Sequence, residues 1–172
     1  MKRRTLLTLG VASATVLAVA GGAAALLQPG VESGRLGAAG RDVFTGVGRA
    51  LLDGTLPADV PATAGARQIA LAGLLDRIDV LVAGLPMHAQ AELSQLLSLL
   101  ATGAGRRALA GLSTAWGEAS IAEIQAALQG MRVSSAAIRQ QAYHALHDIV
   151  GGAYFSDAGT WGMLGYPGPM KT

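Results

Sequence analysis

Apolar side chains recur through this 172-residue chain at the three- and four-residue spacing of a helix face, and hardly anywhere in the two-residue alternation of a strand. The firmest run is Ala89, Leu93, Leu96, Leu97 and Leu100, a packed seam that follows Pro86, a residue suited to the first turn of a helix. A second helix is expected over 66–83, with Leu71, Leu74, Leu75, Ile78 and Val82 in one stripe, Arg67, Asp76, Arg77 and Asp79 away from it, and Gly84 closing it. A first helix over 41–52 carries Phe44, Val47 and Leu51 and ends at Asp53, Gly54 and Pro57, after which Pro61 and further glycine mark a loop to about residue 65. A weaker helix is expected over 106–112. Ser120 with Glu123 forms a capping box ahead of Ile121, Ile124, Leu128 and Met131, in a helix that stops near Arg132. Ser134 or Ser135 is placed to cap the last helix, whose Ile138, Ala142, Ala145 and Ile149 form a stripe that Gly151 and Gly152 interrupt.

With 51% hydrophobic but only 4% aromatic residues, the core must be built from Ala, Leu, Val and Ile, which favours closely packed helices. The expected fold is therefore all-α: a small bundle of about five helices over 41–153. A Gly-rich stretch over 31–40, without periodicity, reads as a linker. Residues 1–30 form a signal or anchor helix, and 154–172 an irregular aromatic tail.

The N-terminal segment has the layout of an export signal: Lys2, Arg3 and Arg4, then an uncharged run over 5–27, then Gln28, Pro29 and Gly30. Arg3 and Arg4 followed by Leu6 and Leu7 resemble the twin-arginine export pattern, with Leu6 in place of its Phe. Ala18, Val19 and Ala20 supply an A-x-A cleavage site before Gly21. Two fates follow: cleavage there, or retention as an anchor, since about 20 apolar residues suffice to span a bilayer. Both place the rest of the chain in the periplasm or on the periplasmic face of the inner membrane. The net charge of +2 depends on this segment, because removing 1–20 leaves ten basic against eleven acidic residues. A nucleic-acid partner, which needs a basic stripe in the folded part, is not expected.

Chemistry of the chain's own is sparsely provided for. No cysteine is present, which excludes disulfides, thiolate nucleophiles, iron–sulfur clusters and c-type haem attachment. His144, His147 and Asp148 lie close on one helix, but a zinc site wants more ligands and His88 is the only other histidine. Gly103, Gly105, Arg106 and Arg107 fit neither a phosphate loop nor a dinucleotide fingerprint. Ser113, Ser134 and Ser135 lack a nucleophile-elbow context. No catalytic residue, metal or cofactor is expected on this chain.

The tail holds four of the seven aromatic residues. Its glycines and prolines preclude a long helix, and a segment so apolar must dock on its own bundle or on another protein. The order Tyr154, Phe155, Ser156, Asp157, then Trp161, then Leu164, Gly165, Tyr166, Pro167, Gly168, Pro169 resembles the small subunit of flavin-dependent gluconate 2-dehydrogenases, the subunit 3 family. The resemblance covers about the last tenth of the chain, which lacks the Pro and Gly-Asn insertion between Asp157 and Trp161 of longer family versions. It implies a non-catalytic subunit that binds a large glucose–methanol–choline-type flavoprotein, the FAD residing on that partner and a separate cytochrome c subunit accepting electrons. The small subunit would escort its folded partner through the twin-arginine translocon and stay attached. The partner contact would then involve Tyr154, Phe155, Asp157, Trp161, Leu164, Gly165, Tyr166, Pro167 and Gly168. The alternative is a stand-alone helical scaffold or binding protein, membrane-anchored or periplasmic.

Overall fold

The computed structural model describes residues 28–57 and 64–168, apart from the side chains of Met163 and Leu164. The export residues Arg3, Arg4, Leu6 and Leu7 and the cleavage residues Ala18 and Ala20 lie outside the described residues. Among the described residues the fold is all-α apart from one small hairpin: β1 (Val31–Glu32), β2 (Arg35–Leu36), α1 (Ala38–Leu51), α2 (Ala66–Ala83), α3 (Met87–Ala101), the short turn α4 (Gly103–Gly105) running into a π-helical turn (Arg106–Ala110), α5 (Ile121–Arg132), α6 (Ala137–Phe155) and a 3-10 helix (Ala158–Leu164).

Helix α1 is the hub, packed against α2, α3, α5 and α6. Val43, Phe44 and Val47 are fully buried on it. A helix surrounded in this way needs a narrow waist, and two of its glycines supply one. A Cβ at Gly46 would come within 3.1 Å of Trp116, and one at Gly40 would collide with the Gly30 carbonyl. Either glycine costs about 1 kcal/mol in helix propensity, which the closer packing offsets.

The stretch expected to be a linker is instead a strap. Val31 pairs with Leu36 and Glu32 with Arg35 across a two-residue turn in which Ser33 (φ 49°) and Gly34 (φ 76°) both adopt left-handed backbone, the geometry that suits a tight hairpin. The Gly30 N–H donates to Ser98 Oγ and the Val31 N–H to Ser94 Oγ, each at 3.0 Å. The Leu36 N–H donates to Asp79 Oδ1 at 2.7 Å, and Arg41 pairs with Asp79 Oδ2 at 2.6 Å. Asp79, expected on the solvent side of its helix, is 3% exposed. Its carboxylate sits beside the apolar stripe because it has a backbone donor and a guanidinium to receive it. With the strap in place, α1 starts at Ala38 rather than Arg41.

Helices α2, α3 and α5 follow the expected stripes, and Ser120 with Glu123 forms the expected capping box. The Ser120 hydroxyl and N–H, then Thr114, hold the exposed Glu123 carboxyl below its ordinary range. Helix α6 departs at both ends. Ala136 is its N-cap without a side-chain bond, and Ser134 Oγ accepts the Ala136 N–H while Ser135 caps nothing. It runs through Gly151 and Gly152 to Phe155, because Ala153 and Tyr154 are buried and Arg77 Nε donates to the Ala153 carbonyl at 2.9 Å. The weak fourth helix is one short turn closed by a π-helical turn ending at Gly111 (φ 72°).

Trp116, fully buried, donates its indole N–H to the Leu100 carbonyl at 2.9 Å and so closes the end of α3. Arginines do similar work. Arg49 donates to the Gly117 and Ala119 carbonyls, Arg106 to those of Ala101 and Ser113, and Arg139 to that of Leu109. These three arginines are thus cross-links to carbonyls at helix ends and in loops.

Replacing Asp79 by Ala orphans the Leu36 N–H and deprives Arg41 of its partner, and is expected to cost about 2–4 kcal/mol in urea unfolding. Asp42 gives the opposite sign. Burial pushes its carboxyl above the ordinary 3.8, and attraction to Arg106 only partly offsets this. A raised acid stabilises the fold while protonated, and that contribution is lost as pH rises through its folded value. Asp42→Asn is therefore expected to melt higher than wild type at neutral pH, with the gain vanishing below the ordinary value of 3.8.

Candidate functional site: the aromatic C-terminal segment

The segment expected to meet a partner separates into an inner half that holds it in place and an outer half that it displays. Tyr154, on the last turn of α6, is buried, and its ring meets Phe155 edge-on at 5.2 Å. Asp157 Oδ1 accepts the Gly159 N–H at 2.9 Å, capping the 3-10 helix, while its other oxygen lies 3.2 Å from Arg77. The Thr160 hydroxyl sits within 3.2 Å of the Tyr154 carbonyl and 2.8 Å of the Asp157 carbonyl. Trp161 donates its indole N–H to the Phe155 carbonyl at 2.7 Å.

Beyond Trp161 the chain doubles back. Gly165 (φ 68°) supplies the left-handed residue that ends the 3-10 helix, and the Tyr166 N–H then donates to the Trp161 carbonyl at 3.1 Å. The Tyr166 ring stands edge-on to Trp161 at 5.4 Å, and Gly168 lies against the same indole. Phe155 and Tyr166 are left 45% and 49% exposed, with Gly165 and Pro167 also on the surface.

Of the nine residues expected at the contact, Phe155, Gly165, Tyr166 and Pro167 are presented to solvent. Tyr154, Asp157 and Trp161 tie the segment together, and Gly168 packs on the indole. The side chain of Leu164 lies outside the described residues. The residue missing from that expectation is Arg77, which grips both the C-terminal end of α6 and Asp157. Its sole signal in the sequence was a lone guanidinium next to the apolar stripe of α2.

The other candidate residues lie apart from this segment. His147 Nδ1 lies 3.0 Å from Asp148 Oδ1, both exposed, with the half-buried Tyr143 stacked on the His147 ring. Among the described residues no group of three or more His, Cys, Asp or Glu could hold a metal. Gly103 and Gly105 lie at the helix junction, where Arg106 is buried with its terminal nitrogens donating to the Ala101 and Ser113 carbonyls and Arg107 is exposed. A second surface feature was not foreseen. Ile138, Ala145 and Ile149 of the expected stripe line an apolar groove of about 260 Å³ between α6 and α3, while Ala142, at its floor, is buried in the core as expected, together with Leu146 and Val150.

No family model, curated protein or solved structure matches this chain. Among the described residues no helix is long and apolar enough to cross a membrane.

Removing the Arg77 guanidinium is expected to loosen the segment without unfolding the bundle. In Arg77→Ala, hydrogen exchange at the Thr160 and Tyr166 amides should accelerate by about tenfold or more, with amides of α5 unchanged and a stability loss of about 1–2 kcal/mol.

Proposed function

We propose that this chain is the non-catalytic small subunit of an exported FAD-dependent dehydrogenase of the glucose–methanol–choline type, acting on a sugar or other alcohol. It binds the folded flavoprotein, carries it through twin-arginine export to the periplasm, and stabilises it there. The observation that carries this reading is the aromatic segment itself: Phe155 at the end of α6 and Tyr166 on the loop beyond it, displayed on a segment that internal hydrogen bonds and Arg77 already hold in shape. Aromatic residues on ordered surfaces are the usual anchors of protein interfaces. The motif of the tail resembles that of the subunit 3 family, and a signal suited to folded cargo on a chain without a cofactor motif is accounted for by a cofactor-bearing partner.

A second reading, a stand-alone envelope protein that binds an apolar ligand, draws on the groove between α3 and α6. The two separate in a pull-down of the full chain from the envelope fraction of its host. Co-purification of a yellow flavoprotein is expected, and the double substitution Phe155→Ala with Tyr166→Ala should lower its recovery by about tenfold or more, while the bundle's melting temperature is retained. Recovery of the wild-type chain alone and colourless would overturn the accessory-subunit reading.

A further inference from the structure

We propose that the groove between α3 and α6 is a binding site for a single-chain amphiphile with a cationic head, an alkylammonium of about eight to ten carbons. Leu85, Leu96 and Leu99 wall it on one side and Ile138 and Ile149 on the other, above a floor that includes the buried Ala142. Left empty, the trough keeps in water apolar surface that a bundle ordinarily buries.

Size and shape select a chain. A volume of about 260 Å³ takes no helix, which is about 10 Å across, and falls below the range of about 300–1,000 Å³ that holds drug-sized ligands. At about 30 Å³ for a unit the size of a water or a methylene, it holds about nine such units. Along α3 the wall from Leu85 to Leu99 spans about 21 Å, longer than any one side chain that a partner protein could insert. Glu92 stands midway, about 10 Å from either end. A chain that leaves a head group there has room for about eight carbons, at about 1.3 Å each, before the wall runs out. Volume and length thus agree.

The polar lining selects the head. Glu92 is the only charged residue of the groove, and Gln95 and Gln141 are its only other polar ones. Among the described residues none of these three side chains has a hydrogen-bond or ion-pair partner, although Glu92 and Gln141 are half-buried. An ionised carboxylate only accepts, and each glutamine offers a carbonyl oxygen, whereas an ammonium group donates three times and accepts nothing. Glu92 therefore attracts such a head and repels the carboxylate of a fatty acid. A site of this kind needs neither the flavoprotein partner nor its absence, so a failed titration leaves the accessory-subunit reading untouched.

The test is a titration of the full chain with octylammonium chloride in detergent-free buffer, read by calorimetry for affinity and by NMR for place. Saturable one-to-one binding is expected, with the largest shifts at Ala89, Ala145 and Ile149. Hexylammonium, shorter by two methylenes, should bind about tenfold more weakly, and dodecylammonium should bind no more tightly than decylammonium once the groove is full. Octanoate should bind about fivefold more weakly than octylammonium, and Glu92→Gln should cost octylammonium about threefold while leaving octan-1-ol unchanged. Ala145→Leu, which fills the groove, should weaken every member of the series by about tenfold. Should that variant fail to fold, Gln141→Trp at the rim provides the same obstruction and is expected to give the same loss. No binding, uptake that rises with chain length without saturating, shifts confined to other helices, or octanoate binding as tightly as octylammonium would each overturn the proposal.

Discussion

The structure is organised by the need to surround α1 with four other helices. A helix packed against four others keeps only a narrow solvent stripe, here Ala38, Arg41, Asp42, Thr45 and Arg49, and the rest of its sequence combines bulky residues that fill the core with glycine and alanine where neighbours come closest. Gly46 admits the Trp116 side chain, and Gly40 admits the strap at Gly30. Those approaches decide the rest. Trp116 reaches the Leu100 carbonyl because α1 stays narrow there, and the strap reaches Ser94 and Ser98 because it can cross α1 closely.

A core of aliphatic side chains specifies volume well and direction poorly, and this protein supplements it with charged side chains aimed at backbone. Asp79 receives the Leu36 N–H and Arg41, which fixes where the strap lies. Arg49, Arg77, Arg106 and Arg139 each reach a carbonyl distant in sequence or at a helix end. A carbonyl at a helix C-terminus has no intrahelical donor, so a guanidinium there satisfies an otherwise open acceptor and complements the helix dipole. Few of these arginines have a carboxylate partner, which is how a chain with 14% charged residues keeps its helices in register.

What could be read from sequence were features whose cause is local. The bounds of α2, the seam of α3 and the box formed by Ser120 and Glu123 depend on residues within a few positions of one another. What could not be read depends on partners far along the chain. Two two-residue strands within Val31 to Leu36 are too short to show a strand period, and the strap's anchors lie more than sixty positions away on α3. Asp79 looks like any polar residue beside an apolar stripe until the strap supplies a donor. Gly151 and Gly152 read as a helix stop, yet burial of Ala153 and Tyr154 carries α6 past them. On the aromatic segment the residue types that mark an interface were visible, but their division into ties and displayed groups was not, because Arg77 comes from another helix.

That division also bears on how such a surface could bind. Ordering a free tail of Gly, Pro and aromatic residues on contact would cost conformational entropy at the moment of association, whereas a segment already folded by Asp157, Thr160 and Trp161 has lost that freedom beforehand. Its exposed part is small beside the roughly 800 Å² that a stable complex buries on each partner. The helix that carries Arg77 also exposes Ile69 (74%) and Val80 (72%). Arg77 ties that helix to the segment through the Ala153 carbonyl and Asp157, so the order of the one depends on the other.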